Sequence, residues 1–258
     1  MISALVLTKN EEEMIGDALS QLKFADEIIV LDQNSTDRTV DIARKYTKNI
    51  SKTNIEDFSK KRNMLMSSAK DDWLLYIDPD EKLSKEGIDE IKRVIKSDTY
   101  AAYYLPRKNY VLGKFLKHGG WWPDYVPKLF RRSQLAGWEG KVHESPKVSG
   151  EFGYLKTPLE HKTARSMKTM LEKSTKWAKI EAGLYYTAKA PKVTILKTIK
   201  FSTAEFFSRY FIKLGLLDGK VGLVSSIYQA LHRVMIMTYL WELQNNTDEA
   251  FKKIQNEK

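Results

Sequence analysis

The chain has no cysteine, so a disulfide framework and any thiolate chemistry are excluded, and a reducing compartment is the natural setting. It also lacks a long hydrophobic run: nothing approaches the ~18 uninterrupted apolar residues that a membrane-spanning helix needs. The opening Met1-Ile2-Ser3-Ala4-Leu5-Val6-Leu7 is too short, and has no basic lead, to serve as a secretory signal, so a cytoplasmic location is expected. Acidic charge is in deficit, 33 residues against 43 basic, which leaves a formal net charge of +10. Such a surplus suits anionic partners, or simply keeps the chain in solution. Nucleic acid is not expected, because no recognisable RNA- or DNA-binding module accompanies the charge. What remains is 258 residues that are 42% apolar and 29% charged, the balance of a folded chain with one large core and an appendage.

The first hundred residues alternate between two periodicities. Strands are predicted at residues 3–7, 27–31 and 73–77, and helices at 11–22, from Thr36 or Asp37 to 45, at 60–69 and at 85–96. Strand and helix in turn at this spacing imply an α/β fold with a parallel sheet covered on both faces. Beyond Tyr100 the pattern loosens into aromatic, Gly- and Pro-punctuated segments, and from about Ser166 it is mostly helical.

The most informative stretch is Asp72-Trp73-Leu74-Leu75-Tyr76-Ile77-Asp78-Pro79-Asp80-Glu81. A short apolar run that ends in acids and a proline is how a buried strand delivers carboxylates to the rim of a sheet, where open α/β folds bind ligands. Alternating carboxylates there can converge on a hard divalent cation. The same letters also make a plain turn after a strand. Two more polar loops follow the other strands: Thr8-Lys9-Asn10-Glu11 and Asp32-Gln33-Asn34-Ser35-Thr36-Asp37-Arg38-Thr39. A nucleotide needs such a crevice, with acceptors for the base, partners for the ribose and helix starts for phosphate.

In their order and spacing these three motifs resemble the glycosyltransferases of family 2, which have the GT-A fold, a Rossmann-like nucleotide-diphospho-sugar transferase core. The likeness spans about residues 1–165. A looser one reaches about residue 240 and is similar to bacterial lipopolysaccharide inner-core β-glucosyltransferases. It rests on Arg62-Asn63, Trp122-Pro123-Asp124, Lys128-Leu129-Phe130-Arg131, Val142-His143-Glu144, Leu159-x-His161 and Leu214-Gly215-x-x-Asp218-Gly219.

The resemblance implies an inverting, metal-dependent hexosyltransferase. It would take a UDP-sugar, UDP-glucose first, and a cell-envelope glycan or glycolipid acceptor such as lipopolysaccharide core. Asp32 would meet the uracil, with Thr8, Asn10 and Glu11 framing base and ribose, and Arg62 would reach ribose or diphosphate. Asp80 would hold Mn²⁺ or Mg²⁺. Asp78 would contact the ribose or the metal, and His161 would add a ligand from the far side, although a packed or capping histidine reads equally well there. Glu144 would take the acceptor proton with His143 orienting, and Glu139 and Asp124 are the alternative bases. Trp121, Trp122 and Asp124 would form an acceptor wall, aromatic faces against sugar C–H faces; core aromatics beside a turn are the plainer reading. Lys128, Arg131 and Arg132 are either acceptor-phosphate contacts or a solvated basic run. A catalytically silent sugar-nucleotide or glycan-binding protein of the same fold is the competing class, and the intact Asp32, Asp80 and Glu144 speak against it.

Residues 1–165 are therefore expected to form the GT-A core and 166–258 a C-terminal helical appendage. The appendage mixes bulky apolar and basic residues, as in Phe206-Phe207-Ser208-Arg209-Tyr210-Phe211-Ile212-Lys213. Such helices suit peripheral contact with the cytoplasmic face of an inner membrane, or packing against the core or a second subunit of a homo-oligomer.

Overall fold

The computed structural model describes residues 1–97, 99–140, 144–164 and 166–245. They divide into two compact units: Met1–Lys108 with Pro123–Lys162, and Asn109–Trp122 with the chain from Thr163 onward.

The first unit opens with β1 (Ile2–Thr8), α1 (Ile15–Gln21), β2 (Glu27–Asp32), α2 (Thr39–Ala43), β3 (Ile50–Lys52), α3 (Phe58–Ser68), β4 (Trp73–Tyr76), β5 (Glu81–Lys82) and α4 (Lys85–Val94). It continues with β6 (Ala102–Val111), then β8 (Asp124–Arg131), β9 (Leu135–Glu139), β10 (Ser145–Val148), β11 (Phe152–Tyr154) and β12 (Leu159–Ala164); β7 (Lys114–Phe115) lies in the second unit, as do the ends of β6 and β12. The sheet runs β3-β2-β1-β4 with all neighbours parallel, then adds β8 and β6 antiparallel.

Alternation along the central strands sorts the core into two layers. Ile2, Ala4, Val6, Ile28 and Val30 pack with Ile15 and Leu19 of α1 and Ile91 of α4. Their neighbours Leu5, Ile29, Leu31, Leu74 and Tyr76 face the opposite way, onto Leu65 of α3, Phe130 and Trp138. Strands buried on both faces explain the unbroken apolar runs of β2 and β4.

Several boundaries depart from the sequence expectation. The first helix starts at Ile15 rather than residue 11, because the chain turns over residues 12–14 and Met14 is not helical (φ −123°, ψ −27°); the Glu11 and Glu12 amides bond Thr39 Oγ1 at 2.7 Å and Asp37 Oδ2 at 3.2 Å. The third helix starts earlier than residue 60, at Phe58, where Asp57 caps it by accepting from the Lys60 amide at 3.2 Å. β3 has only three residues, two of them exposed, and carries no pattern to read.

In the second unit, α5 (Met167–Thr187) begins with a reciprocal capping box between Ser166 and Thr169. α6 (Ile195–Phe207) follows, then a π-helical turn (Ser208–Ile212), a 3₁₀ turn (Gly215–Asp218) and α7 (Gly219–Asn245), which packs on both α5 and α6. Among the described residues no helix is long and apolar enough to cross a membrane.

The Leu214-to-Gly219 motif has a structural role. Asp218, buried, accepts from the amides of His118 at 2.7 Å and Lys117 at 3.3 Å, while its carbonyl accepts from Lys114 Nζ at 2.6 Å. Gly222 touches the same turn: a Cβ there would lie 2.0 Å from the Gly215 carbonyl oxygen, backbone that cannot yield. Gly222→Ala is expected to lower stability by about 1–3 kcal/mol as overpacking does, read as a fall in the denaturant midpoint.

Candidate functional site

The carboxyl ends of β1, β2 and β4 bring the three motif loops together. Thr8 is paired in register with Asp32, and the Gln33 amide bonds the Thr8 carbonyl at 2.9 Å. Asn10 and Asn34 both adopt the left-handed conformation, with φ 53°, which Asn tolerates better than most residues. Asn10 donates its amide to Ser35 Oγ at 2.8 Å and accepts from the Thr36 amide at 2.8 Å. The two loops are thus tied by backbone-to-side-chain bonds in both directions. Asp32 is fully buried, and both of its oxygens accept from Ser35, from the amide at 2.9 Å and the hydroxyl at 2.5 Å. The Thr8 hydroxyl beside it is buried without a hydrogen-bond partner.

Arg62 lies on α3 in an aromatic cradle. Its guanidinium sits 4.6 Å from the Trp138 ring centroid and 5.5 Å from that of Tyr76, and its Nε donates to Glu144 Oε1 at 3.0 Å. The cradle is itself braced. Trp138 Nε1 donates to Tyr76 Oη at 3.1 Å, Tyr76 Oη donates to the Arg62 carbonyl at 3.2 Å, and Asn63 bonds the Trp138 backbone at 3.0 and 2.8 Å. Burial works against the Arg62 charge, but Asp78 and Glu144 raise its pKa, so it stays a cation. Burial pushes the Tyr76 hydroxyl up and keeps it neutral.

Below this, three charges share one buried point. Lys128 on β8 is 3% exposed and donates to Asp78 Oδ2 and to Glu81 Oε2, each at 2.6 Å. Glu81 Oε2 also accepts the Asp78 amide at 3.0 Å. Burial favours the neutral form of both acids. For Asp78, Lys128, Arg62 and His161 outweigh it and hold the carboxyl well below its usual range. For Glu81 burial prevails over Lys128, and the repulsion from Asp78 adds to it, so its pKa is raised. Arg107 Nη1 lies 3.8 Å from Glu81, and its Nη2 bonds Asp124 at 2.8 Å.

The expected metal ligands only partly converge. Asp80 Oδ2 lies 3.4 Å from His161 Nε2, both side chains largely covered, and the pairing of β5 with β12 sets that approach. Asp78 instead pairs with Lys128. Among the described residues no group of three His, Asp or Glu side chains forms a metal cage. One carboxylate and one imidazole still fit a divalent ion that completes its shell with phosphate oxygens and water, the habit of Mg²⁺ and an acceptable set for Mn²⁺.

Of the other expected residues, Asp124 is held by Arg107 in the first unit, whereas Trp121 and Trp122 belong to the second. There Trp121 packs beside Val221 and Tyr228 and donates to Ser225 Oγ at 2.8 Å, while Trp122 stands edge-on to Phe115 at 5.6 Å. His143 lies outside the described residues. Glu139 pairs with Lys147 at 2.5 Å on the surface. Lys128 resolves against the solvated-run reading, because it points inward from β8; Arg131 covers the Trp73 ring at 5.0 Å and bonds the Ser97 carbonyl at 3.2 Å. Glu81, Arg107, Trp138 and Lys61 were not singled out by sequence. Lys61, 1% exposed, donates to Gln33 Oε1 at 2.7 Å; a lysine facing inward from a helix was its only signal.

Lys128→Met removes the closest counter-ion of buried Glu81 and of partly covered Asp78 and is expected to cost about 3–5 kcal/mol in denaturant unfolding, with Lys128→Arg recovering part. The sign with pH follows from Asp78, whose folded pKa is depressed: its stabilisation is complete above the ordinary carboxylate range and is lost as pH falls through the depressed value. The wild-type advantage over Lys128→Met should therefore shrink on acidification, as unfolding curves at several pH values would show.

The glycosyl transferase family 2 domain matches residues 3–156. A protein of Rickettsia felis described as an uncharacterized glycosyltransferase is 39% identical and aligns over 93% of this chain and 89% of its own length. The uncharacterized glycosyltransferase RC0292 of Rickettsia conorii is 26% identical, over 93% of this chain and 90% of its own. Among solved structures, residues 1–349 of S. aureus TarS in complex with UDP superpose with a TM-score of 0.47 at 15% identity, covering 95% of this chain and 92% of that one. By the family match over residues 3–156 and the 39% identical relative, and with three motif loops gathered at the carboxyl rim of a mixed α/β sheet, the chain belongs to glycosyl transferase family 2 and has a GT-A core.

Proposed function

We propose that the chain is an inverting, metal-dependent hexosyltransferase that moves a sugar, glucose first, from UDP to a cell-envelope glycan or glycolipid such as lipopolysaccharide core. The observation that carries this reading is Arg62. One guanidinium, fixed over two aromatic rings, bonds Glu144 on one side and acts electrostatically on Asp78 on the other. Glu144, the proton acceptor of this reading, thereby shares one guanidinium with Asp78 at the end of β4.

The loops after β1 and β2 hold the nucleoside in this scheme. The partnerless Thr8 hydroxyl offers a hydrogen bond to base or ribose, framed by Asn10 and Glu11, whose amides are held by Ser35 and Thr39. Asp32 meets the uracil only when Ser35 turns away, since both of its oxygens are engaged and it has no exposed surface. Asp78 lies toward the ribose and Arg62 toward the diphosphate, where a planar fork suits phosphate oxygens. Asp80 and His161 would hold Mn²⁺ or Mg²⁺, which supplies charge compensation to the departing UDP. Glu144 accepts the proton of the attacking hydroxyl on the side opposite the leaving group, with His143 orienting the acceptor. Asp124, braced by Arg107, accepts hydroxyls of the acceptor sugar.

Two substitutions and one titration test the reading. Glu144→Gln should leave UDP affinity within a few-fold while turnover falls about 10²–10⁴-fold, the usual contribution of a general base; an unchanged rate removes Glu144 from that role. Asp80→Asn should abolish the response of turnover to Mn²⁺ or Mg²⁺. Calorimetry with UDP and a panel of UDP-sugars, with Mn²⁺ and then with chelator, should show metal-dependent binding and a preference for one sugar. No uridine nucleotide binding under either condition would overturn the donor assignment.

A further inference from the structure

The second unit carries a surface that water alone does not explain. From α6 through the 3₁₀ turn, large apolar side chains stand in solvent: Ile195 is 80% exposed, Leu196 79%, Ile212 77%, and Ile199 and Leu217 58% each. Phe207 and Phe211, both about half exposed, stack on each other with centroids 5.3 Å apart. Scattered apolar residues are ordinary on a surface, but a contiguous run over one helix and the two turns after it marks an interaction face.

Its charge is one-sided. Residues 192–220 contain six basic residues and two acidic ones. Both acids are engaged within the unit: Glu205 bonds Arg209 at 2.6 Å and lies 3.6 Å from Arg233, and Asp218 is buried under the His118 turn. Lys192, Lys200, Lys213 and Lys220 are exposed. α6 is also incompletely packed. A cavity of about 590 Å³ lies along one side, between Tyr185, Phe201, Arg233 and Leu240, and a groove of about 250 Å³ along the other, between Ile199 and Trp241.

We infer that this face docks on an anionic lipid bilayer, lying on the surface with its apolar side chains in the headgroup boundary and its lysines at the phosphates. Charge selects this occupant. A two-fold contact with a second copy would bring the same patch against itself, lysine opposite lysine, with no exposed acid within residues 192–220 to answer it. A bilayer carrying phosphatidylglycerol supplies the missing negative charge and accepts the apolar residues together. The inference gains meaning from the proposed function, because a glycolipid acceptor would lie in that plane, but binding needs no turnover.

The test uses the full chain in flotation with phosphatidylcholine vesicles, with and without phosphatidylglycerol, and UDP calorimetry on the same samples. The chain should float with phosphatidylglycerol vesicles and lose binding as salt rises. Lys192→Gln and Lys200→Gln should each weaken partitioning about fivefold, and Leu196→Ser with Ile199→Ser should abolish it. Circular dichroism checks α6 in every variant, and the lysine variants decide the matter if the serine pair disturbs the helix. Failure of a UDP-binding wild-type chain to float overturns the inference, as does retained flotation by folded variants. Concentration-dependent association that the same variants relieve, without vesicle binding, overturns it in favour of a second copy. A chain that floats but binds no uridine nucleotide leaves the docking face standing and removes the proposed donor.

Discussion

One buried ammonium governs the first unit. Lys128 answers two carboxylates from different places in the chain, Asp78 just after β4 and Glu81 on β5. Burying an ion carries a penalty of several kcal/mol, repaid only by close and well-directed partners. The arrangement therefore admits little slack. It joins the last parallel strand, the first antiparallel strand and the short β5 that pairs with β12, so the register that brings His161 to Asp80 depends on the same contact.

The aromatic cradle of Arg62 complements this constraint. Tyr76 precedes the Asp78 loop and its ring turns toward α3, while Trp138 arrives from β9 and is clasped by Asn63, the residue after Arg62. An arginine needs such support, because its many rotamers would otherwise leave the guanidinium undirected. Even Gly137 within β9 conforms, since a Cβ at that position would come within 3.1 Å of Asn63 Oδ1.

Much of this was legible in the sequence. The parallel half of the sheet followed from the apolar runs of β1, β2 and β4, and the three polar loops fell at their carboxyl ends as expected. The first helix start was misjudged because the turn over residues 12–14, anchored by Thr39 and Asp37 from a loop distant in sequence, has no signal of its own in the residues. The strands beyond Tyr100 were hidden because several are short, partly exposed and aromatic, so that none shows a clean alternation. The purpose of Lys128 could not be read either. A lysine in Lys128-Leu129-Phe130-Arg131 looks solvated until the strand's facing residues are known, and those lie some fifty positions away in the chain, at Asp78 and Glu81.

The lacing of the first two loops has a thermodynamic consequence. Asn10 is bonded to Ser35 and Thr36, Glu11 to Thr39, and Glu12 to both Asp37 and Arg38, all before any ligand arrives. The configurational freedom that flexible loops would surrender on association has already been given up in folding, so more of the contact energy is retained as affinity. The same bonds make the two loops one energetic unit. Changes at Asn10 and at Thr36 are changes to a single bonded pair, and their effects will not simply add.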